Sequence, residues 1–559
     1  MRTLQTCELF LFARARIIVL LLCALTAIIS PAQTLTTLES FDFADGAEPD
    51  VALAQGRDGN LYGMTGTGGL NGAGTVFKLD PLTGTLTTLY NFCSQPGCTD
   101  GARTPLGGGA LLLATDGNFY GATQGGGLYS GCNNNPGQTC GTVFKVSSGG
   151  TLTTLYNFKG ADGSFPNGLV QGIDGNLYGT AQEGGANGAG TFFKMTRNGT
   201  LTTLYNFCSQ PNCTDGGGPA TPPIQATDGN FYGTTFGGGG GLGGGTVYKI
   251  TPRGKFTTLV TVGGSPSGAL VQGVDGNFYG TAARSGTVFQ MTPDGTLTTL
   301  GVVGQYAYAG LVQATDENFY GTVYGQPGTV FGITPGGTVT TPYTFCSQLN
   351  CTDGDYPLAG LIQGTDGNLY GATIVGGADT ACNLIQGAAG CGTVFRFSVP
   401  GLIPFVEPVT YSGKVGATIE FLGQGFTKST TVSFNGTSVT PSVKSGTYLT
   451  AKVPSGATTG FVTITTSGGS LQSNKIFRVI PQIKSFIPTS GPVGTVVTII
   501  GLSLTQTTNV TLGGKTAAFT VNSDSQVTTT VPTGAKTGKI AITTAGGTAT
   551  SSGTFTVTP

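Results

Sequence analysis

The chain has 559 residues, enough for several cores, and its 98 glycines beside 38% hydrophobic residues suit many short strands and tight turns better than long helices. Only 9% of residues are charged and the formal net charge is -1, which excludes the broad positive field that holds a phosphate backbone or an anionic membrane. Histidine is absent, so a serine or cysteine nucleophile would lack its usual base.

In chain order, the first predicted element is an export signal. Arg14 and Arg16 precede an apolar run from Ile17 to Ile29, followed by the small residues Ser30 and Ala32. Residues 1–32 read as a signal peptide cleaved after Ala32. An uncleaved anchor helix is the rival, but the run is shorter than the roughly 20 residues a span requires. Leu22, just before Cys23, is bulky where a lipoprotein signal has a small residue. The expected location is therefore secreted or cell surface, with no membrane span in the mature chain.

Seven copies of one pattern follow. Asp-Gly-Asn-(Leu/Phe)-Tyr-Gly begins at Asp58, Asp116, Asp174, Asp228, Asp275 and Asp366, with the variant DENFYG at Asp316. A second marker, GTVFK or a near relative, begins at Gly74, Gly141, Gly190, Gly245, Gly286, Gly328 and Gly392. A third, TLTTL or a near relative, begins at Thr34, Thr85, Thr151, Thr200, Lys255, Thr296 and Thr338. Short alternating runs separated by Asp-Gly and Asn-Gly turns predict four hairpin-connected strands per unit, the size of a propeller blade. The first TLTTL precedes any DGN, and the last GTVFRF has no TLTTL after it. The orphan strand fits the last unit, so residues 33–400 are expected to form a seven-bladed β-propeller closed by the N-terminal strand, which leaves no open sheet edge. An open β-solenoid would not need its two ends to complement each other. The motifs DGNLYG, GTVFK and TLTTLYNF resemble the GloVer tandem repeat of secreted, choice-of-anchor bacterial proteins. That resemblance implies export and a propeller-like array, and supplies no catalytic residues.

Ten of the 12 cysteines lie beyond Ala32 and fall into five local pairs: Cys93 with Cys98, Cys132 with Cys140, Cys208 with Cys213, Cys346 with Cys351, and Cys382 with Cys391. The repeats act as one another's controls. At Asn157 the context reads NFKGADG, with both cysteines missing together. Joint presence and absence is what disulfides predict, and an exported chain meets an oxidising compartment. Zinc, the other reading of paired cysteines, is disfavoured without histidine. In an up-and-down blade, both cysteine-bearing loop types emerge on one face of the disc and the DGN turns on the other. Short staples there would reduce the cost of ordering a binding loop, or simply protect glycine-rich loops from fraying.

The repeated Asp of DGN reads as a turn residue rather than a calcium ligand, since no dense run of oxygen ligands surrounds it. Asp100, Asp215, Asp353 and Asp355, in the variable loops, are better candidates for ligand or calcium contact. Tyr129, Asn133, Asn134 and Asn135, in a long stapled loop, are the other recognition candidates. The repeat tyrosines Tyr62, Tyr120, Tyr178, Tyr232, Tyr279, Tyr320 and Tyr370 read as core between blades. The glycine run from Gly237 lacks the Lys-Ser or Lys-Thr of a phosphate cradle. No cofactor is expected and no catalytic residue is assigned.

After Val399 two units of about 80 residues follow. The second, 481–559, resembles an IPT/TIG immunoglobulin-like domain through PTSGPVGT from Pro488, Gly501 and VPTGAKTGKIAITT from Val531. The first, 401–480, is similar, but EPVTYSGKVG departs from the usual Pro-Thr-Ser-Gly opening. The resemblance implies stalks or interaction modules. The expected function is an exported, non-catalytic recognition or adhesion protein whose stapled face meets an extracellular glycan or protein, with the two sandwiches as spacers. Two alternatives stand beside it: a carbohydrate-active hydrolase or lyase using propeller-face carboxylates, and a structural envelope protein. Nucleic acid is not an expected partner, and the sequence leaves the oligomeric state open.

Overall fold

The computed structural model describes residues 33–559 apart from 106–108, 133–136, 241–243, 380 and 383–388. The expected signal peptide, 1–32, and Asn133, Asn134 and Asn135 lie outside the described residues. The chain is all-β, with a propeller-like succession of four-stranded antiparallel sheets. No helix among the described residues is long and apolar enough to cross a membrane.

The third unit shows how the repeat folds. Its strands Ser164–Gln171, Leu177–Glu183, Thr191–Met195 and Leu201–Asn206 pair in sequence order. The DGN turn joins the first two: the Asp174 carboxylate accepts the Asn176 backbone N–H and the Tyr178 hydroxyl, at 3.1 and 2.9 Å. The same Asp-to-Tyr hydrogen bond recurs in all seven units, at 2.7 to 2.9 Å. One motif therefore builds the turn and orients a buried aromatic ring. That ring stacks on a phenylalanine of the following sheet, as in Tyr62 on Phe119 at 4.1 Å and Tyr279 on Phe319 at 4.0 Å. The repeat tyrosines are core, where offset ring pairs add to area burial.

Five further sheets repeat this order, beginning at Ala54, Leu112, Ile224, Val271 and Val312. In the remaining sheet, Ile362–Gln363, Leu369–Thr373 and Thr393–Ser398 are completed by the N-terminal strand Thr34–Ser40. The pairing is antiparallel, from Thr34 opposite Ser398 to Ser40 opposite Thr393, with a bulge between Thr37 and Glu39. Phe41, Leu53, Leu61 and Phe77 of the first unit share one apolar cluster with Tyr370 and Val394 of the seventh. Close to the inner strands, neighbouring units approach to backbone contact. A Cβ on Gly109 would lie 2.3 Å from the Gly168 Cα, so only glycine fits that crossing.

The C-terminal third forms two sandwiches with the same strand order. In each, two four-stranded sheets face one another and a short parallel pair closes one side, Ser412–Lys414 with Arg478–Ile480 and Ser490–Gly491 with Thr556–Val557. Buried Phe421, Phe434 and Phe477 fill the first, and Val497, Ile499, Val510 and Phe555 the second.

Candidate functional site

The seven sheets present two unlike faces. On the DGN face, a glutamine in six of the seven inner strands reaches in two directions. Its Nε2 donates to the carbonyl at the second position of its own DGN or DEN turn, as Gln363 does to Gly367 at 3.1 Å. Its Oε1 accepts a backbone N–H from the preceding unit. The donors Thr115, Ile173, Thr227, Val274 and Thr315 meet Gln171, Gln225, Gln272, Gln313 and Gln363 in turn, at 2.9 to 3.1 Å. Thr365 of the seventh unit donates to Gln55 of the first at 3.0 Å. The second unit has Leu113 at this place and offers no acceptor. There the Arg57 guanidinium crosses to the Thr115 carbonyl at 3.3 Å.

The first sandwich sits on this face. Arg57 pairs with Glu420 at 2.5 Å and lies 4.9 Å from the Tyr448 ring centroid, while Thr447 Oγ1 donates to the Arg57 carbonyl at 2.8 Å. Phe405 N donates to the Thr365 carbonyl at 3.1 Å, and Arg478 donates to the Thr227 carbonyl. A cavity of about 340 Å³ lies between the inner strands and the sandwich, lined by Leu53, Gln55, Leu311, Gln363, Glu407 and Tyr411 among others. The expectation that both sandwiches act as spacers is therefore corrected for the first. Its atypical opening, EPVTYSGKVG, is the segment that lines the cavity, and this packing accounts for its departure from the family pattern. Around it, burial raises the Glu407 carboxyl against the pull of Lys475, and the Tyr411 hydroxyl donates to Asn474 at 3.0 Å.

The opposite ends of the strands carry the staples, and all five cysteine pairs form disulfides. Asp100, Asp215 and Asp353 were expected to face a ligand. The structure corrects this: all three are buried and fasten their own loops. Asp215 accepts the Tyr205 hydroxyl at 2.7 Å and the N–H groups of Ser209 and Gln210 at 2.8 and 3.2 Å. Asp100 and Asp353 repeat this pattern with Tyr90 and Tyr343. Asp162, in the loop without cysteines, accepts from Tyr156 and from Lys159 N. The aspartate thus serves the loop's shape with or without a disulfide. Asp355 is also buried. Its Oδ1 accepts the N–H groups of Gly328 and Tyr356, both at 2.9 Å, and its Oδ2 has no partner. Burial raises its carboxyl above the usual value despite those two bonds. Cys346, Cys351 and Asp355 come together, but the two sulfurs are already bonded to each other, so they form no metal-ligand set. Tyr129 stands 40% exposed, with Lys159 Nζ 5.5 Å from its ring centroid.

At or just before the start of each inner strand, on the stapled face, one residue per unit holds a positive φ: Glu48 at 56°, Arg103 at 57°, Phe165 at 55°, Gly218 at 64°, Ser265 at 56°, Tyr306 at 69° and Tyr356 at 53°. Bulky side chains rarely adopt this conformation, which costs a non-glycine residue on the order of 1 to 2 kcal/mol. The chain has glycine to spare, yet uses it here once. The backbone role repeats: Glu48, Arg103, Gly218 and Tyr306 accept N–H bonds from Gly66, Gln124, Phe236 and Tyr324. The side chains vary: glutamate, arginine, phenylalanine, glycine and serine occur once each and tyrosine twice. Two of them join a tyrosine cluster, with ring centroids 5.9 Å apart for Tyr306 and Tyr308, 5.9 Å for Tyr308 and Tyr324, and 5.0 Å for Tyr324 and Tyr356. Nearby Asp50 is buried and accepts the Thr104 hydroxyl at 2.5 Å; burial pushes its carboxyl up to about 7. Sequence reasoning missed this cluster, although its tyrosines stand outside the DGN-x-Tyr position and could have been noticed for that reason.

With the geometry in view, the comparisons fall into place. The Gloeobacter/Verrucomicrobia repeat matches residues 26–211, 126–324 and 209–385. The chain belongs to this repeat family. An IPT/TIG domain matches 481–557, so this repeat protein ends in such a module. No curated protein matches its sequence. Among solved structures it is similar to virginiamycin B lyase from Staphylococcus aureus, with 14% identity over 66% of this chain and 99% of that chain and a TM-score of 0.46. It is also similar to a fungal alcohol oxidase of the AA5 family, with 13% identity over 80% of this chain and 99% of that chain and a TM-score of 0.47.

Proposed function

We propose that residues 33–400 close into a seven-bladed propeller whose stapled face is the binding surface of an exported, non-catalytic recognition or adhesion protein. Its partner is an extracellular glycan or protein. Pairing of Thr34–Ser40 with Thr393–Ser398 and the Thr365-to-Gln55 hydrogen bond support the closure. The five disulfides support an oxidising, extracytoplasmic location.

The observation that carries the reading is the set of seven left-handed positions. A fold that keeps one costly backbone conformation while placing six residue types on its seven occurrences is presenting side chains, and such strain collects at ligand sites. The first sandwich covers the DGN face, which leaves the stapled face for a partner. Tyr129, exposed beside the second unit's staple, extends the same surface. The second sandwich carries the propeller away from its attachment point.

The test is binding of the mature protein to arrays of glycans and envelope proteins, run beside an assay for released product. Saturable binding without product, lost in an Arg103→Ala, Tyr306→Ala variant, is the expected result. Turnover that disappears on changing stapled-face carboxylates would overturn it in favour of a hydrolase or lyase. Neither binding nor turnover would leave a structural envelope role instead.

A further inference from the structure

The sixth, seventh and first units meet at the tyrosine cluster, where the nearest cation along the chain, Arg284, follows Ala283, whose carbonyl accepts the Tyr306 N–H at 2.7 Å, and lies over the Phe236 ring at 5.1 Å. No lysine or arginine occurs between Arg284 and Arg396, nor between residue 33 and Arg57. The three ion pairs among the described residues, Arg57 with Glu420, Lys194 with Asp174 and Lys249 with Asp228, all belong to the DGN face. At the cluster, by contrast, the Asp355 Oδ2 is buried without a partner, and Glu48 Oε2 accepts only the Thr67 hydroxyl, at 3.1 Å. Glu48 and Asp355 both act on Tyr324: burial raises its phenol pKa first, then the Tyr356 and Tyr308 rings, then these two carboxylates.

The rings do not form a flat platform. Successive planes are inclined by 28°, 70° and 59° along Tyr306, Tyr308, Tyr324 and Tyr356. Tyr324 and Tyr356 rest on buried Ile374 and Val375, and the Tyr356 hydroxyl donates to Gln326 Oε1 at 3.2 Å. Tyr306 stands 48% exposed at the outer end. A flat sugar face calls for a coplanar partner. Inclined ring faces backed by negative charge suit a compact cation, which the ring quadrupoles attract more strongly once water is excluded.

We propose that Tyr306, Tyr308, Tyr324 and Tyr356, backed by Glu48 and Asp355, form an aromatic cage for a quaternary or alkylated ammonium group on the partner. This rests on the stapled face being the recognition surface and names the chemistry that one sector of it reads.

The probe is choline against its neutral isostere 3,3-dimethylbutan-1-ol, titrated into the full mature protein. The chain has 19 tyrosines and no tryptophan, so intrinsic fluorescence reports tyrosine, and ring proton shifts provide a second readout. Choline should bind saturably and the isostere at least tenfold more weakly. Tyr306→Ala and Glu48→Gln should each weaken choline at least fivefold, while Leu82→Ala, at an exposed turn on the opposite face, leaves it unchanged. Tyr306 and Glu48 are surface-reaching, so their variants are expected to fold, with circular dichroism as the check. Equal binding of both probes, or no choline binding while stapled-face variants still abolish array binding, would overturn the cage and leave the recognition reading standing. No choline binding together with no array binding would overturn both.

Discussion

The two faces of the repeat array obey different rules. On the DGN face the same side chains do the same work in unit after unit: aspartate to tyrosine, glutamine to the neighbouring turn, lysine to aspartate in the third and fourth units. Where the pattern fails, at Leu113, an arginine compensates and becomes the anchor for the first sandwich. On the stapled face an aspartate–tyrosine pair still fastens the loops of four units, but at the seven left-handed positions the backbone repeats while the residue type varies. Comparing the faces separates what the fold requires from what it displays: a residue type repeated across seven units marks a structural need, whereas a repeated φ with changing side chains marks a position free to serve a ligand.

The strongest way to break this comparison is to remove the strand proposed to close the array into a ring. Deleting Thr34–Ser40 leaves Thr393–Ser398 as an unpaired edge and uncovers the apolar surface beneath it. Exposed edges of that kind template association. The expected outcome is loss of a cooperative thermal transition and aggregation on size exclusion. A monomer melting as the parent does would mean that the terminal strand is dispensable and that the faces are not parts of one closed array.

A smaller effect singles out the stapled face by pH. Asp50 is buried, with an ordinary carboxyl value of 3.8 raised to about 7 in the fold. The folded state therefore holds a proton that the unfolded chain releases. The stability tied to that proton is full below about pH 4 and lost as the pH rises to about 7. The third unit places Asn167 at the equivalent position, where its Nδ2 donates to Thr180 Oγ1 at 3.2 Å and to the Pro219 carbonyl at 2.8 Å. Asp50→Asn should make the decline smaller, leaving the part that other raised carboxyls such as Asp355 and Glu407 carry. Urea unfolding at pH 5 and pH 8 should show the parent losing more than the variant, by on the order of 1 to 3 kcal/mol.

Much of the fold was legible in the sequence because its units repeat. The three markers fixed the strands, and the orphan Thr34 strand pointed to its partner. The joint loss of both cysteines at Lys159 and Gly160 pointed to the disulfides elsewhere. The site was less legible, for a physical reason. Asp100, Asp215 and Asp353 are polar residues in variable loops, which reads as exposure, but each is held inward by a tyrosine just before its staple, Tyr90, Tyr205 and Tyr343. Conversely, Glu48, Arg103, Phe165, Ser265, Tyr306 and Tyr356 have no common residue type, so no pattern search aligns them. Only the backbone angle does. The docking of the first sandwich was foreshadowed by its unusual opening, yet nothing in Glu407 or Tyr411 alone says which surface they meet.

The comparison is sharpened last by a pair of substitutions expected to move stability in opposite directions. Gln363→Leu puts on the DGN face of the seventh unit the residue that the second unit already carries. It removes the acceptor for Thr315 N and the donor to the Gly367 carbonyl, with no arginine placed to compensate, and should cost about 2 kcal/mol while leaving partner binding intact. Tyr306→Gly acts where glycine is the conformationally easy choice, as Gly218 is in the fourth unit. Relief of the left-handed backbone outweighs the greater freedom of glycine in the unfolded chain and the loss of one half-exposed ring contact. Stability should hold or rise by about 1 kcal/mol, while partner binding falls. Chemical denaturation and array binding on the same two proteins check both halves. If Tyr306→Gly destabilises as much as Gln363→Leu, the tyrosine is part of the scaffold, and the left-handed positions are a feature of the fold rather than a surface held for a partner.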